Sequence, residues 1–310
     1  MTAKPIAEDL VDFLNDSWTH FHATEECCKR LEAAGFTKIR EREEWSVEKE
    51  GKYYFTRNKS TVIAFVIGGK YKPGNGFNVV AAHTDSPCLK LKPVSNATAK
   101  AGFLKVGVQP YGGGLWNTWF DRDLSVAGRV LVQRKEGLSH ELVRVDRPIM
   151  RIPNLAIHLN RDVNEKGFCP NLQTHMVPIL ATQVKCALGT PSDAAESDAT
   201  HHPVLVEVLA EQLKCSPEDV IDFELNVCDV QPSVIGGAKK EFIFSGRLDN
   251  LCMAHVSLTA LIDASSDKEL TKNETNCWML ALFDNEEVGS NTAQGGGSPL
   301  LMETIRRVTL

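Results

Sequence analysis

The sequence predicts an α/β fold, a central mixed sheet flanked by helices, interrupted by a β-rich insertion. Three observations carry this expectation. Near the N-terminus, segments with helical periodicity precede apolar, strand-like runs rich in Val, Ile, Phe and Tyr. From about Pro93 to Gly237 the pattern shifts to short apolar runs separated by Gly, Pro and polar clusters. After Gly237 strands and helices alternate again. The expected organisation is therefore 1–92 and 238–310 as two parts of one α/β domain, with 93–237 as the inserted domain.

The elements follow in order. Ile6, Leu10, Phe13, Leu14 and Trp18 recur at three- and four-residue steps, which predicts a first helix. A second is expected from Thr24 to Gly35, a natural left-handed terminator. Lys52–Arg57, Thr61–Gly68 and Phe77–His83 read as strands, and two of them are continuous apolar runs of the kind covered on both faces. In the insertion, Leu104–Val108, Gly128–Gln133 and Leu142–Val145 read as short strands. Thr190–His202 reads as a polar acidic loop and Pro203–Leu213 as a short helix. Glu241–Ser245 is a short strand, Leu248–Ala264 a helix with one apolar stripe, and Asn276–Phe283 a buried-type strand. Ser298-Pro299 starts a last amphipathic helix through Leu300, Leu301, Ile305 and Val308.

Composition narrows the function. A net charge of −6 argues against a phosphate-backbone partner, so nucleic acid is not expected. The nine cysteines are irregularly spaced and contain no C-x-x-C pair, which suits reduced thiols in a reducing compartment. Met1-Thr2-Ala3-Lys4-Pro5 leads into no apolar stretch, and no run approaches the ~20 apolar residues of a membrane helix. A soluble, cytoplasmic protein with no membrane partner is expected.

Three segments can carry chemistry. In Ala82-His83-Thr84-Asp85-Ser86-Pro87 an apolar strand ends in His83, with Asp85 two residues on and therefore pointing the same way. His83 can give one ring nitrogen to a metal while Asp85 orients it; the plainer alternative is a strand-end histidine before a turn. In Gly246-Arg247-Leu248-Asp249-Asn250, Asp249 or Asn250 can cap the following helix, or Asp249 can bridge two metal ions. In Phe283-Asp284-Asn285-Glu286-Glu287-Val288-Gly289-Ser290 a buried strand runs into an acidic stretch. Adjacent strand residues face opposite ways, so Glu286 and Glu287 can serve one site only if the chain has left the strand. One carboxylate would then ligate a metal and the other accept a proton from water. The alternative is a solvated acidic loop. One His, one Asp and a Glu-Glu pair at strand ends together supply what a hydrolytic zinc site needs.

These three motifs, with Ile152-Pro153-Asn154-Leu155-Ala156-Ile157-His158-Leu159, resemble the M18 aspartyl aminopeptidases along essentially the whole chain. The resemblance implies a zinc exopeptidase-like fold with an inserted dimerisation domain, and a cytosolic enzyme with two Zn²⁺ per complete site. It implies peptide substrates with N-terminal Asp or Glu, and a homo-oligomer built from dimers into a dodecamer. Carried over, His83 is a terminal ligand of one zinc, Asp249 the bridging ligand and Glu287 a terminal ligand of the other. Glu286 is the general base, Asp85 orients His83, and His158 reaches a neighbouring subunit's active site. The family pattern also uses an Asp and a His well downstream of the Glu-Glu motif, and none of the 23 residues after Glu287 is either. A C-terminally incomplete chain with weakened metal binding and no measurable activity is therefore expected. The alternative is a non-catalytic assembly subunit or an incomplete gene product.

Overall fold

Residues 5–185 and 199–310 are described in a computed structural model of the chain. The expected polar loop lies outside the described residues over positions 190–198. Two compact units emerge, one formed by Met1–Ser86 with Pro232–Leu310 and the other by Pro87–Gln231.

The first unit begins with α1 (Ile6–Asp16), whose apolar spacing buries Leu10, Phe13 and Leu14. The second helix, α2 (His20–Ala33), starts four residues before the expected Thr24. The Thr19 side chain accepts from the His22 N–H at 3.4 Å and so supplies an earlier cap. Gly35, at φ 82°, then ends the helix as expected. Strands β1 (Thr37–Lys38), β2 (Lys52–Arg57), β3 (Thr61–Ile67) and β4 (Phe77–His83) follow.

In the second unit, β5 (Cys88–Lys100), β6 (Phe103–Tyr111), β7 (Leu124–Arg134), β8 (Gly137–Arg144) and β9 (Ile179–Thr182) precede helix α3 (Pro203–Leu213) and β10 (Val220–Asp229). They form an antiparallel sheet of order β8-β7-β10-β5-β6-β9. Alternation puts Leu89, Leu91, Val106, Val108, Val130, Leu225 and Val227 into one core with Leu205, Leu209 and Leu213 of α3. The shift in composition at Pro93 falls inside the 13-residue β5, so the unit begins earlier, at Pro87.

The chain returns to the first unit through the hairpin β11 (Val234–Gly236) and β12 (Phe242–Phe244). It continues with α4 (Leu248–Ser266), α5 (Lys268–Asn273), β13 (Cys277–Phe283) and α6 (Leu300–Thr309). The sheet order is β1-β2-β3-β13-β4, with β13 antiparallel to β3 and parallel to β4, a mixed sheet. Period-two alternation sorts β3 between two cores. Val62, Ala64 and Val66 pack with Leu14, Leu31, Leu251 and Leu258 of α1, α2 and α4. Ile63, Phe65 and Ile67 pack with Leu300 and Val308 of α6 on the other face.

β3 is buried at every position, as a continuous apolar run implies. β4 is not. Among the described residues it is the last strand of its sheet, and Val79 and Val80 are 39% and 54% exposed. No helix among the described residues is long and apolar enough to cross a membrane.

Candidate metal centre

The parallel pairing of β4 with β13 sets His83 opposite Phe283, so both strands deliver their polar extensions at the same end. Thr84 pins that end. Its N–H donates to the Phe283 carbonyl at 2.8 Å and its hydroxyl to the Ser60 carbonyl at 2.7 Å.

After Phe283 the chain leaves the strand at once. Asn285 adopts φ 61°, and its side-chain oxygen accepts from Thr292 Oγ1 at 2.8 Å and Gln294 Nε2 at 2.9 Å. Glu286–Val288 then form a single 3-10 turn. This removes the opposite-face restriction, and Glu286 and Glu287 both reach the region of His83. The loop behind them is tight: a Cβ on Gly295 would lie 2.2 Å from the Ser290 carbonyl oxygen.

Asp85 organises two of the motifs at once. It is buried, and its Oδ1 lies 3.2 Å from His83 Nδ1. The same carboxylate accepts from the backbone N–H of Glu286 at 3.2 Å and of Glu287 at 3.1 Å. The expected His83–Asp85 pairing is thus joined by two bonds the sequence reading missed. The only signal for them was an acidic residue just past a strand end; its backbone partners lie some 200 residues away.

Asp249 sits at the entry to α4. It does not act as a cap: Arg247 occupies that position, and no side-chain cap bond forms. Asp249 and Asn250 lie off helical geometry, and the side chain of Asp249 is 75% exposed. Ser86 Oγ donates to the Asp249 carbonyl at 2.7 Å. Beside it, Arg247 Nε and Asn250 Oδ1 are buried with no hydrogen-bond partner among the described residues.

The side chains converge. His83 Nε2 lies 3.4 Å from Asp249 Oδ1 and 3.6 Å from Glu286 Oε2. Donor atoms of His83, Asp249 and Glu287 all lie within 4.8 Å of one another, the one such group among the described residues. Burial disfavours a charged His83, but the hydrogen bond to Asp85 and the nearby Asp85, Glu286 and Asp249 charges outweigh it and raise its pKa. Glu287 is pushed up to about 7, by burial first and then by the Asp249 and Asp85 charges. A site that forces carboxylates together at this cost suits a cation, which would reverse both shifts.

The donor set fits zinc. One imidazole nitrogen and two carboxylates are donors that zinc accepts. His158 belongs to the other unit, on the exposed turn Ile157–Leu159, and is not one of the clustered donors.

Comparison with known proteins supports the same chemistry. Residues 13–310 match the family model described as aminopeptidase I zinc metalloprotease (M18). The chain is 54% identical, over 327 aligned positions covering 98% of it, to a probable aspartyl aminopeptidase of Ricinus communis. It spans 66% of that relative's length. Among solved structures, it superposes at TM-score 0.93 and 42% identity on the cryo-EM structure of the Ape4 and Nbr1 complex, over 98% of this chain and 59% of that one. The S. cerevisiae mApe1 dodecamer matches at TM-score 0.82 and 29% identity, over 97% and 65%. With residues 13–310 of its 310 matching the family model, the chain belongs to the M18 family of zinc metalloproteases.

Proposed function

We propose that this chain carries the metal centre of a zinc aminopeptidase that removes N-terminal Asp or Glu from peptides. The observation that supports it most is the convergence of His83, Asp249 and Glu287 donor atoms within 4.8 Å. These three residues would hold zinc, with Asp249 shared between two ions. Zinc held there supplies Lewis acidity, polarising a carbonyl and bringing the acidity of water toward neutrality.

The remaining work belongs to the chain's own groups. Glu286, 3.6 Å from His83 Nε2 and 55% exposed, is free to take a proton from water and return it to the leaving amine. Asp85 holds the His83 ring through Nδ1, which leaves Nε2 directed at the metal position. By fixing the Glu286 and Glu287 backbone, Asp85 also sets the spacing between base and ligand.

The same proposal includes self-association through the unit Pro87–Gln231. That unit exposes Leu115, Leu155, Ile157 and Leu159, more apolar surface than isolated side chains need. A neighbouring subunit would receive His158.

The test is zinc content together with cleavage of Asp-, Glu- and Leu-anilides by the full-length homologous enzyme and its Glu286→Gln variant. Acidic residues should be preferred, and the variant should keep zinc but lose turnover by ~10²–10⁴-fold. Preference for Leu defeats the substrate claim. Near-normal turnover of the zinc-loaded variant defeats the base assignment, and failure to bind zinc defeats the metal centre.

A further inference from the structure

We propose that Cys88 and Cys228 are a disulfide-forming pair, oxidised by a glutathione-class disulfide. The β5–β10 ladder pairs Lys90 with Asn226 and Leu89 with Val227. One more step of this antiparallel register sets Cys88 opposite Cys228. Both residues are within regular strand, since Cys88 pairs with Tyr111 on β6 and Cys228 with Ser125 on β7.

Directly opposed antiparallel residues project to the same face, with Cα atoms ~4.5–5.5 Å apart. That separation lies inside the ~4.4–6.8 Å span that a disulfide bridges. Both side chains are thiols and both are buried, at 7% for Cys88 and 3% for Cys228. Access comes from position. Cys88 is the first residue of β5 and Cys228 the last but one of β10, and strand ends open locally at lower cost than strand centres.

The chemistry balances as two exchanges. The Cys88 thiolate attacks one sulfur of the oxidant's disulfide, forming a mixed disulfide and releasing one thiolate. The Cys228 thiolate then attacks the Cys88 sulfur and expels the second. Two electrons pass from the protein to the oxidant, and the two protons of the cysteine thiols end on the released thiols. The product ties the start of the unit Pro87–Gln231 to its end. Neither cysteine belongs to the metal centre, so the inference stands independently of the proposed activity.

The experiment incubates the native chain in reduced or oxidised glutathione buffer, then blocks remaining thiols under denaturing conditions. Digestion follows with trypsin and a Glu-specific protease. The fragment Tyr71–Lys90 carries Cys88 alone, and Leu225–Lys239 carries Cys228 alone. The expected result is a crosslink between these two fragments, at least tenfold more abundant in the oxidised buffer and lost on adding excess thiol. No crosslink in the oxidised buffer, or Cys88 joined to another cysteine, overturns the proposal.

Discussion

Replacing Asp85 should damage metal binding and folding by separable amounts. Its carboxylate serves three donors: His83 Nδ1 at 3.2 Å, the Glu286 N–H at 3.2 Å and the Glu287 N–H at 3.1 Å. In Asp85→Ala the two part-buried backbone donors lose an acceptor that is itself buried, at about 1–3 kcal/mol each. The expected loss is therefore about 2–6 kcal/mol of stability, a large share of an ordinary domain's total. The more informative variant is Asp85→Asn. If its single oxygen takes the Oδ1 place, His83 and Glu286 keep an acceptor, but the amide nitrogen confronts the Glu287 N–H. The charge that holds the imidazole is also gone. Loss of such a supporting partner typically costs 10–100-fold in metal affinity. Chelator competition gives the zinc affinity of wild type and both variants, and urea unfolding of the metal-free proteins gives stability. Asp85→Asn binding zinc within twofold of wild type would refute the idea that this carboxylate organises the site.

Zinc binding should release protons below neutrality. Glu287 sits at about 7 without metal and His83 is raised above its usual value, so both must lose protons to bind. Affinity should fall as pH drops from 8 to 6, and calorimetry in buffers of different ionisation enthalpy should count the protons; no release would contradict it. For the metal-free chain the sign is opposite. The folded Glu287 holds its proton more tightly than the unfolded one, so this group's contribution to stability grows as pH falls from about 7 toward the ordinary carboxylate value of 4.5 and is least above 7. Phe65→Ala in the fully buried β3 should cost about 3–5 kcal/mol, read as a lower urea midpoint at unchanged slope. Gly295→Ala places a methyl against backbone, so it should shift the Asn285–Gly297 loop and weaken zinc binding, whereas retained affinity would show that the loop yields freely.

Much of this was legible from residues alone, for identifiable reasons. β3 announced itself because Val62–Ile67 is apolar at every position and is sandwiched between two helical layers. The three chemical motifs were visible because ligands must be His, Asp or Glu and must stand where strands end. What stayed hidden depended on distant partners. Val79 and Val80 read as doubly covered, yet β4 is the last strand of its sheet among the described residues, a property of strand order and not of composition. The start of α2 was misplaced because Thr19, not Thr24, caps it. The reach of Asp85 to Glu286 and Glu287 spans about two hundred residues of sequence, which no local pattern encodes.

The edge position of β4 also has a kinetic side. Its backbone is hydrogen-bonded to β13 on one flank only, so amides directed to the other flank have no ladder partner among the described residues. Solvent deuterium should enter those amides within seconds, while the central β3 exchanges only through wider opening. The strand that carries His83 should therefore exchange more readily than the central β3 and β13. The Thr84 bonds to Phe283 and Ser60 then act as a latch, holding the ligand end still while the flank beside it exchanges.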